Sequence, residues 1–381
     1  MMLLSKPWSV SPLAFFLGLG LGTGYMTSLR FLGPIGPSEI FFLVSYLILF
    51  VKFGRSLARF NYDFSGLIKL YFLFFVLVIF PLMTSVTALV LGEKVFPEYI
   101  ASFILGVSLS FLLVEALKNK YIHMNAVVFW FAISFIISNL FTIYLFGVTS
   151  AQERYSGAAS NPNQLMFYAS CLSMLLVIYS RRLSLIFLPI VVWIALKSES
   201  DAYILTLFVT LFLYIVLLVF FGKKLSFSTS IFLIIILMCF GLYFLFLRFS
   251  DIVLSIWNAA DEGGVRINLF INAVYATLES PFFGFGAGNF SGIESPFSGL
   301  EAHNTFLDFS MQFGILFPVL IYYVFFVFLI DRVRQGFYLQ AAFVAAFIVS
   351  GFFHFTGRHF YFWVEFAIFY FYVFYSKRAN S

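Results

Sequence analysis

Glu301, His303 and Asn304 stand at the start of EAHNTFLDFSMQFGILFPVL, a run that turns apolar within a few residues. His303 is the residue there best able to move a proton. An imidazole with an ordinary pKa of about 6.5 can be neutral near pH 7 and accept one. The same letters fit a helix start, with Asn304 or Thr305 as cap and Asp308 completing a T-x-x-D box. Cap and base are compatible, because a cap fixes the backbone from which the ring projects.

Two arginines offer the complementary chemistry. Arg154 lies in QERYSGAASNPNQ, and its guanidinium is a permanent planar fork suited to phosphate oxygens. Gly157, Asn161, Pro162 and Asn163 form a tight polar entry to the next apolar run. The plainer alternative is a surface turn in which Glu153 screens Arg154 or the side chain snorkels. Arg266 opens GVRINLFINAVYATLES, a segment of helical length, and a helix N-terminus attracts anions. Glu262, four residues earlier, could instead pair with it or serve in capping with Asp261. Residues 248–303 carry Arg248 and Arg266 against Asp251, Asp261, Glu262, Glu279, Glu294 and Glu301. That excess of acid rules out diffuse attraction of anions, so a phosphate site must be built from a few aimed arginines.

Other features carry less. The G-F-G-A-G of Gly284–Gly288 is like a nucleotide loop in composition, but it follows no strand and is expected on the outer face. His354, Arg358 and His359 form the last outer turn, with Arg358 and His359 placed to support the site. Glu365 falls inside the final apolar run, where a charge costs roughly 2.5–3.5 kcal/mol or more, so protonation, pairing or a cavity is expected. Cys171 and Cys239 both lie in apolar runs, and no Cys/His cluster has metal-ligand spacing. No metal and no cofactor are expected. The net charge of +5 comes from dispersed basic residues and is no nucleic-acid signal.

The elements that must position these residues are membrane helices. Of 381 residues, 62% are hydrophobic and only 10% charged, against about a quarter charged in soluble domains. The 58 Phe residues suit lipid-facing surfaces and define no site. At about 20 residues per span, about twelve spans are expected: 11–29, 40–52, 70–91, 99–117, 126–147, 164–180, 183–196, 202–221, 227–247, 304–330, 339–355 and 360–376. The N-terminal stretch reads as a first span, since no convincing cleavage site follows it. The fold class is therefore an all-α polytopic membrane protein, a single transmembrane domain over residues 1–381. One large, partly helical loop, 248–303, joins spans nine and ten; long connections in compact architectures are usually functional.

With a cytoplasmic N-terminus, fifteen of the 22 Lys and Arg residues fall inside and seven outside. The positive-inside rule thus places both termini in the cytoplasm and His303 on the outer face.

The ordered set R-Y-S-G-A-A-S-N-P-N, R-I-N-L-F-I-N-A, P-F-F-G-F-G-A-G-N-F and H-N-T-F-L-D, over roughly 150–320, resembles the O-antigen polymerase and O-antigen ligase superfamily. The resemblance implies a GT-C-like, metal-independent glycosyltransferase in the bacterial inner membrane, with its site at the periplasmic face. Its donor would be a glycan on undecaprenyl pyrophosphate. Its acceptor would be another repeat unit, or lipid A-core for a ligase. Membrane lipids enclose such a site, and a chain-length regulator protein is a further expected partner. By position, His303 is the base beside Asn304, while Arg266 and Arg154 bind pyrophosphate, with Asn161 and Asn163 in support. Ligases of the superfamily show a Ser-Arg pair after span seven; here the chain reads Lys197-Ser198-Glu199-Ser200-Asp201. Lys197 would supply the cation there without the guanidinium fork, which favours polymerase over ligase. A lipid-linked glycan transporter or flippase is the remaining alternative. The lack of paired broken helices in matching halves, and the gathering of polar groups at one face, argue against it.

Overall fold

Apolar runs of this length can satisfy their backbone groups in lipid only by coiling. The computed structural model describes residues 11–29, 36–57, 64–90, 92, 97–146, 155–159, 162–198, 200–222, 235, 262–288, 300–352, 354–357 and 359–375. Among them are α1 (Pro12–Thr23), α2 (Pro37–Leu57), α3 (Phe64–Val90), α4 (Pro97–Lys118), α5 (Met124–Phe146), α6 (Pro162–Tyr179), α7 (Arg181–Lys197) and α8 (Asp201–Phe221). Then come α9 (Glu262–Glu279), α10 (Thr305–Phe313), α11 (Leu316–Arg334), α12 (Tyr338–Ser350) and α13 (Phe360–Phe374). No strand occurs among the described residues.

Among the described residues, five stretches are long and apolar enough to cross a bilayer: Leu73–Val90, Tyr99–Lys118, Met124–Tyr144, Pro162–Tyr179 and Leu316–Arg334. Four further helices are apolar but shorter: Pro12–Thr23, Leu205–Phe221, Tyr338–Ser350 and Phe360–Phe374. The protein is a helical membrane protein. The expected ninth span, 227–247, lies outside the described residues except for Ile235, as do 248–261 and 289–299 of the long loop.

The chain forms two compact units, one of Met1–Asp63 with Leu112–Thr206, the other of Phe64–Phe111 with Leu207–Ser381. In the first, small residues let helix backbones approach. Gly18 and Gly22, one turn apart on α1, face α5 so closely that a Cβ at either would strike Trp130 or Ser134. Where lipid tails compete equally for apolar surface, this close packing is what drives helices together. The α7 helix leaves Leu185, Ile186, Trp193 and Leu196 exposed, an outward face that suits acyl chains.

The second unit is packed by aromatic rings. Phe103 of α4 lies 4.9 Å from Phe313, 5.3 Å from Phe317 and 5.0 Å from Trp363, ring centre to ring centre. Phe309, Phe313, Phe317, Phe325 and Phe328 are almost wholly buried. Phenylalanine therefore builds the interior of this unit as well as lipid-facing surface. Offset and edge-to-face rings add about 0.5–1.5 kcal/mol per pair beyond area burial.

The expected tenth span is interrupted. Gly314, at φ 81 and ψ 159, separates α10 from α11. The nine residues of α10 rise about 14 Å, less than half of the roughly 30 Å of bilayer hydrocarbon. The 19 residues of α11 are long enough to span.

Candidate functional site

In the second unit the site is built around the start of α10. Asn304 is its N-cap, with Oδ1 accepting from the Leu307 amide at 3.0 Å. Thr305 is not the cap. Its amide donates to the Gly351 carbonyl at 2.7 Å, and its hydroxyl donates to the His354 carbonyl at 2.6 Å and meets the Thr356 hydroxyl at 2.9 Å. Asn304 Nδ2 donates to the Phe352 carbonyl at 3.3 Å. These bonds fasten the start of α10 to the turn between α12 and α13.

Asp308 does not close a box with Thr305 as the sequence suggested. Its carboxylate reaches further back, taking the Ala302 amide at 2.9 Å on Oδ1 and the Asn304 amide at 3.1 Å on Oδ2. Between them stands His303, half-buried and at φ 54. Residues with a Cβ rarely adopt positive φ.

The far end of α10 is wrapped by the glycine-rich loop. Phe285 N–H donates to the Met311 carbonyl at 2.7 Å and Gly286 N–H to that of Gln312 at 2.9 Å. Gly288 N–H donates to Gln312 Oε1 at 2.9 Å and Ala287 N–H to Ser85 Oγ at 3.1 Å. Gln312 Nε2 donates to the Asp308 carbonyl at 2.9 Å. The loop's amides thus cap helix carbonyls, and no phosphate cradle remains in it. Packing of Ala273 and Ala276 from α9 against Ala302 and Met311, with Phe285 and Leu307 beside them, joins α9 to the same assembly.

Arg266 falls in the first part of α9, which begins at Glu262, so the loop helix expected from the sequence is present. His359 is the N-cap residue of α13, and its amide donates to the Thr356 carbonyl at 3.0 Å. Asn304 and His359 therefore belong to the two segments that Thr305 and Thr356 tie together. Arg358 lies outside the described residues.

In the first unit the polar segments singled out from the sequence also meet one another. Asn163 Oδ1 accepts from Ser200 Oγ at 2.8 Å, and Tyr155 N–H donates to the Lys197 carbonyl at 3.2 Å. The Lys197 side chain is exposed, with its ammonium 5.9 Å from the Trp193 ring centre. Ser28 Oγ and the Thr27 hydroxyl, just past α1, bond to the Ala158 carbonyl at 2.6 Å and Gln164 Oε1 at 2.8 Å. Tyr155 is buried, its Oη within hydrogen-bond distance of the Asn139 carbonyl (3.1 Å) and Asn139 Oδ1 (3.0 Å). Burial, and secondarily the Tyr25 phenol nearby, push the Tyr155 phenol above the ordinary tyrosine range. Arg154 and Asn161 lie outside the described residues.

Asp308 and Gln312 in the second unit, and Tyr155 and Ser200 in the first, make connections that the sequence alone did not assign to them. Only Asp308 had a visible signal, its place four residues after the capping asparagine. No protein-family model matches the chain, and neither curated proteins nor solved structures supply a match.

Proposed function

We propose that the protein is a membrane glycosyltransferase that polymerises a surface polysaccharide, an O-antigen polymerase in type. It would transfer glycan from an undecaprenyl-pyrophosphate donor to a hydroxyl of an acceptor repeat unit at the periplasmic face of the bacterial inner membrane. The observation that carries this reading is His303, a potential base held at positive φ by the first turn of a buried helix. Sparsely populated backbone conformations persist where surroundings over-determine them, and they cluster at functional sites. The ordered motifs over roughly 150–320 support the same reading.

In the proposed reaction the acceptor oxygen bonds to the sugar C1 as the bond from C1 to the phosphate oxygen breaks. His303 takes the acceptor's proton, and undecaprenyl pyrophosphate leaves with the bonding electrons. Arg266 and Arg154, with Lys197, neutralise the charge that gathers on the leaving group. A single direct displacement inverts the configuration at C1. The sugar–pyrophosphate bond is already activated, so the step calls for no nucleotide.

The test is made with purified protein and lipid-linked repeat units, with and without lipid A-core. Chain extension on the carrier lipid supports the polymerase. Transfer to lipid A-core without extension makes the protein a ligase, and substrate-driven flux in liposomes without transfer makes it a transporter.

A further inference from the structure

We propose that Asp308 is the positioning residue for His303, holding the base in its left-handed conformation by gripping the backbone amides on both sides of it. The inference rests on the reading of His303 as the base. Asp308 is completely buried. Its Oδ1 accepts from Ala302 N–H at 2.9 Å and its Oδ2 from Asn304 N–H at 3.1 Å, so the carboxylate straddles His303 at φ 54. The Asp308 amide donates back to the Asn304 carbonyl at 2.8 Å. Such a conformation survives only where neighbouring bonds fix it, and hydrogen bonds from amides to a carboxylate are about twice as strong as neutral ones.

Capping alone does not account for this arrangement. The Asn304 side chain already takes the Leu307 amide, which is the usual task of an N-cap. The bond from the Asn304 amide to Asp308 resembles the reciprocal bond of a capping box, but the bond from the Ala302 amide, on the other side of His303, lies beyond any cap. Behind Asp308, Gln312 donates to its carbonyl at 2.9 Å and accepts from Gly288 N–H at 2.9 Å. The grip on His303 is thereby anchored in the glycine-rich loop.

Asp308→Asn keeps the size of the side chain but turns one acceptor oxygen into an NH2 group facing a backbone N–H. Full-length variant and parent, purified in detergent, are treated with diethyl pyrocarbonate, and modification of each histidine is followed by mass spectrometry. Exposed His123 serves as the internal reference. Freed from its grip, His303 is expected to react faster relative to His123 by about tenfold, the population change that loss of one charge-assisted hydrogen bond produces. In the transfer assay kcat should fall about 100-fold with KM little changed, as for a misplaced catalytic group. An unchanged His303 to His123 ratio in folded Asp308→Asn overturns the proposal. If Asp308→Asn does not accumulate, Asp308→Glu, whose extra methylene displaces both acceptor oxygens from the two amides, replaces it with the same expected rise in the His303 to His123 ratio, and an unchanged ratio again overturns the proposal. Loss of both variants from the membrane also overturns the proposal, in favour of a purely structural carboxylate. A parent protein inert toward lipid-linked repeat units removes the transferase reading, and the reactivity ratio still decides the role of Asp308.

Discussion

Ser200 Oγ donates to Asn163 Oδ1 at 2.8 Å, joining residues 37 positions apart in the chain. The bond binds the entry of α6 to the segment between α7 and α8, one residue before α8 begins. Ser200→Ala and Asn163→Ala should each cost the first unit about 1 kcal/mol, with a coupling of similar size in the double mutant. Thermal unfolding in detergent measures all three. Additive single effects would show that the two side chains act independently.

Gly314 and Gly336 separate backbone strain from steric collision. Gly314, at φ 81 and ψ 159, occupies a region nearly exclusive to glycine, and a Cβ there would run into the Phe282 carbonyl. Gly336, at φ 77, has open space around it. Gly314→Ala should cost more than about 4 kcal/mol, and Gly336→Ala about 1 kcal/mol. Yields of folded protein in membranes and midpoints of thermal unfolding provide the comparison.

His303→Ala should abolish polymer while the protein stays inserted and folded. Glycan chains of full length in that variant would refute the assignment of the base. Arg266→Ala should reduce turnover at least as severely as Arg266→Lys. Glu262→Ala reproducing the Arg266 defect would favour an ordinary ion pair on α9.

Tyr155 gives the first unit a sensitivity to alkali. Burial raises its folded pKa, so the unfolded chain releases the phenolic proton first, near the ordinary value of about 10. The contribution to stability is therefore complete below about pH 10 and is lost as pH rises toward the folded value. Tyr155→Phe should lower stability by about 1 kcal/mol at neutral pH through its lost hydrogen bond. It should also make the fall in stability above about pH 10 shallower than in the parent. Unfolding midpoints followed against pH test both parts.

What the sequence made legible was whatever depends on local pattern. Apolar runs located α5, α6, α8 and α13 within a few residues, and RINLFINAVYATLE was recognisable as a helix. Asn304 was one of two named caps. The break at Gly314 was not legible, because G-I-L inside an apolar run of spanning length reads as one continuous helix; the Phe282 backbone packed against Gly314 and the Pro281 carbonyl that takes the Ile315 amide at 2.7 Å are far off in sequence. The glycine-rich loop gave no sign that its amides would cap α10 for the same reason. Asp308 could be seen as a capping acid, but its grip on both amides around His303 depends on the φ of a residue that local preference would not place there. The Phe content misdirected in part: composition cannot distinguish a ring facing lipid from Phe309 or Phe325, which have neighbours on every side.

The interruption at Gly314 has a consequence for biogenesis. Leu316–Arg334, with a mean hydropathy of 2.0, can leave the translocation machinery as a self-sufficient helix. The preceding segment, with Asp308, Ser310 and Gln312 on nine residues, is too short and too polar to do so. It depends on partners, and those that hold Thr305 lie at Gly351, His354 and Thr356, which follow α11 and α12 in the chain. A chain synthesised only as far as α11 thus carries Thr305 without the partners that fasten the start of α10.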